Sequence, residues 1–304
     1  MDYIELMKKL ERPSKRVDAV LDTDAYNEID DQFAIAYMLK NQEKINTLAI
    51  YAAPFTNEKS EGPKDGMEKS YYEILKLLDL LDHKAMKNKV YKGSESYLAD
   101  ENTPVYSDAA NHLVELALNY SKDDPLYVVA IGAITNVASA ILINPEIINN
   151  IVVIWLGGHC ITWGNSKEFN MAQDIAAARI VFGCMVPLIM FPCGGVVSSF
   201  TISEAELLYW LKGKNAICDY LVENTINEAN KYAEGKPWTR VIWDVAAVAW
   251  LISGEFFYER FEHSPIPEYD NHYAFDKNRH FIKYIYHICR DALVSDLFNS
   301  LLSE

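Results

Sequence analysis

The chain has 304 residues, half of them hydrophobic, and a formal net charge of -15. That length and apolar content supply a large buried core and exclude a disordered chain. The acidic balance repels phosphate backbones and anionic lipid, so neither nucleic acid nor a membrane surface is an expected partner. The densest basic stretch, Lys8 to Arg16, is interrupted by Glu11 and Pro13 and reads as a solvated helix face and linker. Five cysteines, Cys160, Cys184, Cys193, Cys218 and Cys289, are odd in number, widely spaced and without a C-x-x-C pair. They argue against a disulfide framework or a thiolate zinc site and suit a reducing compartment. The opening MDYIELMKKLERPSKR has no apolar core of the signal-peptide kind, so the expected location is cytoplasmic.

In chain order, Val17 to Leu21 is the first apolar run and predicts a buried strand, followed by a helical pattern over Asp31 to Leu39. Leu48 to Ala52 predicts a second strand, and Lys69 to Leu81 and Asp108 to Tyr120 predict helices. Strand patterns at Leu126 to Ile131, Ile151 to Leu156 and Val186 to Phe191 then alternate with helical ones at Asn136 to Leu142 and Ile175 to Phe182. The uncharged stretch Ile180 to Ser203 is broken by Pro187, Pro192, Gly194 and Gly195, which makes it a strand and its exit loop rather than a membrane span. This rhythm predicts an α/β fold, a mostly parallel open Rossmann-like sheet with helices on both faces. No Gly-, Ser- or Pro-rich linker divides the chain, and no repeat is visible. One domain over residues 1–304 is expected, with 203–245 a mainly helical excursion and 255–279 a long loop near the site.

In an open parallel sheet, ligands sit beyond the carboxyl ends of the strands. The first strand ends in Asp22-Thr23-Asp24 and is followed by Asn27, Glu28, Asp30 and Asp31. So many carboxylates in so short a span repel one another unless a cation neutralises them. Oxygen donors without a paired His or Cys suit Ca²⁺ or Mg²⁺ rather than Zn²⁺.

The segment VLDTDAYNEIDDQFAIAYML resembles the N-terminal signature of the inosine-uridine nucleoside hydrolases: a strand, Asp-x-Asp, a short turn and Asp-Asp before an apolar helix. VVAIGAITNVASAI, IVVIWLGG with GNSKEFNMAQDIAAARIVF, and IWDVAAVAWLI resemble three further family segments, in the same order. The resemblance implies the nucleoside hydrolase fold and calcium-dependent cleavage of the N-glycosidic bond of ribonucleosides, giving ribose and free base. Asp24, Asp31, Asp244 and the carbonyl of Ile131 would bind Ca²⁺, and Asp24 would be general base to a calcium-bound water. Asp30, Asp244, Glu168 and Asn170 would bind ribose hydroxyls. Asn57 and Asn165 would support the metal shell and sugar, and Asp22 would orient the loop from behind. A small-molecule nucleoside substrate and a homodimer or homotetramer are implied.

Two departures bear on specificity. Five residues, Ala25 to Ile29, separate Asp24 from Asp30, two more than is usual in the family, so Asn27 or Glu28 can enter the site. Trp243 stands where the family has His; an indole can stack on a base but cannot act as an acid at neutral pH. His159, just past a strand end, is the candidate to replace it at the leaving group. Two other readings compete: a repurposed member that binds a nucleoside without turnover, and a haloacid dehalogenase-type phosphatase with Asp22 as nucleophile.

Overall fold

A computed structural model describes residues 2–303. The chain begins with α1 (Tyr3–Lys9), started by a capping box between Asp2 and Glu5, and enters β1 (Val17–Thr23). Helix α2 (Asp30–Lys40) leads to β2 (Ile45–Ala52), and α3 (Pro63–Leu80), with Pro at its start, leads to β3 (Val90–Lys92). There follow α4 (Asp108–Ala117), β4 (Leu126–Ala130), α5 (Thr135–Ile143), β5 (Ile151–Leu156), α6 (Phe169–Gln173), α7 (Ile175–Gly183) and β6 (Leu188–Phe191). An excursion carries β7 (Thr201–Ser203), α8 (Glu204–Trp210), α9 (Ala216–Ala233) and β8 (Thr239–Val241), in which β7 pairs with β8. The chain returns through α10 (Val245–Ala249), β9 (Phe257–His263), the two-residue strands β10 (Ile266–Pro267) and β11 (Tyr273–Ala274), β12 (Phe281–Ile288) and α11 (Arg290–Leu302).

The main sheet has eight strands in the order β3-β2-β1-β4-β5-β6-β12-β9, parallel throughout except between β12 and β9. Side-chain alternation divides its residues between two cores. Ala19 and Leu21 of β1, Tyr127 and Val129 of β4, and Val152, Ile154 and Leu156 of β5 face a core shared with α2, α10 and α11. Val20, Leu126, Val128, Ala130, Ile151, Val153 and Trp155 face a second core shared with α4, α5 and α7. Burial on both faces is why these strands read as continuous apolar runs, and each fully buried Val, Leu or Ile contributes about 1.5–3 kcal/mol.

The parallel sheet with helices on both faces matches the sequence expectation. Three strands of it do not appear there: β3, β9 and β12. Residues 255–279 are not a long loop, because β9 forms an edge of the main sheet along β12. Its charged Glu259, Arg260 and Glu262 mask the strand, and charge on an edge also discourages pairing with another chain. Residues 203–245 carry the helices α8 and α9 between the short strands β7 and β8. No helix among the described residues is long and apolar enough to cross a membrane.

The functional consequence of the topology lies between β1 and β4. From β1 the chain builds outward through β2 and β3, then crosses back to add β4 on the other side. The strands on either side of β1 therefore send their following loops in opposite directions, leaving a crevice above the carboxyl ends of β1 and β4.

Candidate active site

The acidic residues reach that crevice from three backbone elements. Asp22 lies within β1 and Asp24 just past its end, Asp30 and Asp31 form the first turn of α2, and Asp244 immediately precedes α10, which packs on α2. Neither helix start has a side-chain capping bond, so the positive ends of both face the carboxylates. Asp24, Asp30, Asp31 and Asp244 are all buried, and one carboxylate oxygen each from Asp30, Asp31 and Asp244 lie within 4.8 Å of one another.

Burial, and then the Asp31 and Asp30 charges, push the Asp24 carboxyl well above its ordinary range. Asp244 is raised in the same way by burial and by Asp30, Asp31 and Asp24, and Asp31 by burial and Asp30. Asp30 is raised to about 7 by burial and Glu28, against the opposing pull of Arg240. Asp24 Oδ2 and Asp30 Oδ1 are buried without any hydrogen-bond partner. Orphaned anionic oxygens in a like-charged cluster are costly unless a positive charge completes them, and an all-oxygen donor set fits a hard divalent cation.

Around the cluster, Ile131, Glu168, Asn170, Trp243 and His159 line one cavity of about 250 Å³ together with Asp24, Asp30, Asp31 and Asp244. Asn170 Nδ2 donates to the carbonyls of Ile131 and Leu156, both at 3.0 Å, tying the ends of β4 and β5 together. A carbonyl oxygen has two lone pairs, so the Ile131 oxygen keeps one for another partner. Glu168 caps α6, accepting from the backbone N–H of Asn170 (2.9 Å), Met171 (3.0 Å) and Gly158 (2.8 Å). Burial raises its carboxyl, while these backbone donors pull it down. Gly158 has φ of 75°, and a Cβ there would lie 2.1 Å from the Tyr273 hydroxyl, so this turn admits no side chain.

Asp22 sits behind the cluster. Its Oδ1 accepts from Asn136 Nδ2 at 2.7 Å, and Asn136 Oδ1 accepts from the Ser94 N–H and hydroxyl. Buried completely, Asp22 is pushed up to about 7 by desolvation and is closed to solvent, unlike the exposed nucleophile a dehalogenase-type phosphatase requires. His159 lines the cavity, yet both ring nitrogens are engaged by its own surroundings. Nδ1 accepts from the Gly194 N–H at 3.1 Å, which leaves the proton on Nε2 facing the Lys167 carbonyl at 3.1 Å.

Two expected residues stand elsewhere. Asn165 is exposed, and its Oδ1 accepts from the Lys167 N–H in a local turn, away from the cavity wall. Asn57 does not line the cavity either; its Nδ2 donates to Asn27 Oδ1 at 2.7 Å, and Asn27 does line it. Spacing alone places neither, because side-chain direction in a loop follows from local turns. Lys167, Phe169, Leu156 and Cys193 also line the cavity and were not singled out from the sequence. For Cys193 a signal was present: it follows β6 by two residues, at the same carboxyl end that flagged the aspartates.

Comparison with known proteins agrees with this architecture. Residues 19–279 match the family described as inosine-uridine preferring nucleoside hydrolase. The non-specific ribonucleoside hydrolase RihC of Salmonella typhi is 33% identical over 138 residues, which is 44% of this chain and 43% of that protein. Among solved structures, a plant nucleoside hydrolase, the PpNRh1 enzyme, is similar with a TM-score of 0.76 at 16% identity, covering 96% of this chain and 100% of that one. The purine-preferring ribonucleoside hydrolase from Gardnerella vaginalis has a TM-score of 0.75 at 18% identity, covering 94% and 98%. At such identities the two structures share the fold with this chain.

Proposed function

The chain belongs to the inosine-uridine preferring nucleoside hydrolase family, and from that premise we propose that it hydrolyses the N-glycosidic bond of ribonucleosides with the help of calcium. The observation that carries the reading is the convergence of four buried carboxylates, two with orphaned oxygens, on the wall of one cavity at the sheet's switch point. Asp24, Asp31, Asp244 and the Ile131 carbonyl would hold the ion. The number of oxygens and their origin in three separate elements favour Ca²⁺, which accepts six to eight oxygen donors in flexible geometry. When bound, the cation neutralises the cluster and lowers the pKa of water beside it.

The residues divide the remaining work. Asp24 is the general base, because its Oδ2 has no partner to hold it back from a water's proton. Asp30 and Asp244 accept from sugar hydroxyls, and Glu168 and Asn170 hold the far side of the ring, their orientation set by the backbone bonds described above. The collected carboxylate charge also favours the positive charge that develops on the sugar as the bond breaks, an interaction strongest in the transition state. Trp243, half-buried at the cavity wall, offers a flat apolar face for a base.

We place the protein in the cytoplasm as one domain in a closed homo-oligomer; its five free thiols suit a reducing setting. The test is release of reducing sugar from a panel of ribonucleosides by the wild type and Asp24→Asn. Sugar release that Asp24→Asn lacks supports the reading; equal rates in the two remove Asp24 as base.

A further inference from the structure

The loop Ala25–Ile29 is immobilised from several sides. The Tyr26 N–H donates to Ser70 Oγ at 3.3 Å, the Asn27 N–H to the Asp24 carbonyl at 2.7 Å, and Lys59 Nζ to the Asn27 carbonyl at 2.7 Å. Lys59 is itself held by Glu228 of α9 at 3.3 Å, and Glu28 pairs with Arg240 of β8. A segment so held is a built wall rather than slack, and Asn27 and Glu28 are the parts of it that line the cavity.

The hydrogen bonds also decide which way the Asn27 amide faces. The Lys59 N–H can only donate, so the atom that meets it at 2.9 Å is Asn57 Oδ1. Asn57 Nδ2 is therefore the group that meets Asn27, and since it too can only donate, the atom receiving it at 2.7 Å is Asn27 Oδ1. That leaves Asn27 Nδ2 as a donor with no protein partner among the described residues, on a side chain only 7% exposed in the wall beside Asp24.

We propose that Asn27 is a specificity-determining residue whose Nδ2 donates to one hydroxyl of the bound sugar, and that Asn57 is a positioning residue that fixes the amide in this orientation. The assignment rests on the hydrolase reading above and adds to it the residue that selects the sugar. An aspartate cluster offers only acceptors; an ether or hydroxyl oxygen that must accept a bond needs a donor such as this one. A site built to hydrogen-bond a hydroxyl discriminates against the analogue that lacks it.

The experiment compares Asn27→Ala, Asn27→Ser, Asn57→Asp and wild type on a ribonucleoside and its 2'-, 3'- and 5'-deoxy analogues, with thermal melts to verify folding. Asn27→Ala should lose roughly ten-fold in kcat/KM on the ribonucleoside and nothing on the one analogue that lacks the partner hydroxyl. An aspartate at 57 still accepts the Lys59 N–H but has no hydrogen to give, so the Asn27 amide turns to face it and presents Oδ1 to the cavity. Asn57→Asp should show the same selective loss, and that loss should vanish in an Asn27→Ala background. A loss spread evenly over all four substrates, or none, overturns the proposal. Absence of sugar release by the wild type would instead remove the hydrolase reading, and calorimetric binding of the same four ligands would then read the same selective pattern or its absence.

Discussion

Gly132 offers the sharpest separation of geometry from chemistry. It follows the Ile131 carbonyl at the end of β4, and a Cβ placed on it would lie 2.9 Å from Asp24 Oδ1 and 3.1 Å from the Ala53 Cβ. Ordinary contact begins at 3.4 Å, so Gly132→Ala forces the Asp24 carboxylate back by about half an ångström, the limit within which a reacting constellation must be held. A displacement of about 1 Å costs roughly 10²-fold, so the expected loss in kcat/KM is between ten- and a hundred-fold, about 1.4–2.7 kcal/mol in the barrier. The added methyl should cost about 1–3 kcal/mol of stability at most. Gly164→Ala is the control, since a Cβ there meets nothing within 4 Å. Sugar release, calcium titration by calorimetry and thermal melts are read on all three proteins. If Gly132→Ala keeps its rate within about three-fold of wild type, tight placement of Asp24 is not what the reaction depends on.

Asp24→Asn should reduce turnover by at least about 10²-fold and, because it removes one of several buried like charges, should melt higher than wild type in chelator; a lower melting point would contradict the repulsive picture of the cluster. Trp243→His restores a titratable ring at the cavity wall and should raise activity on inosine relative to other nucleosides; an unchanged profile over the panel would make Trp243 a packing residue. His280 is buried, with Nε2 unpartnered, and desolvation followed by Arg279 lowers its pKa to about 4. The fold thus excludes a proton that the unfolded chain binds below about 6.5. Stability is therefore unaffected above that pH and declines as pH falls towards 4, the loss amounting to about 2 kcal/mol by pH 5. Between pH 7.5 and 5, His280→Leu should therefore lose less melting temperature than wild type, and parallel losses in the two would refute the assignment.

How far the sequence discloses this molecule follows from burial. β1, β2, β4, β5 and β6 are covered on both faces, so their apolar runs stand out; β3 has only three residues, and β12 buries Lys283 in its middle, against Glu11 and Glu259. The aspartates were legible because the carboxyl ends of parallel strands are where polar residues have no structural reason to gather. Asn57 and Asn165 were not, since a loop residue's direction depends on turns such as the Asn165–Lys167 bond. The two additional residues between Asp24 and Asp30 announced a difference, but the sequence does not say that Asn27 lines the cavity while Asn57 donates to its Oδ1.

If the carboxylate cluster binds a divalent cation on which sugar release depends, removing the metal must stop the reaction. Reducing-sugar release from ribonucleosides should be measured on the protein as purified, after chelation, and after calcium add-back. Chelation should stop release, and calcium should restore it. Release that continues undiminished in chelator, from protein shown to be free of metal, would contradict that dependence.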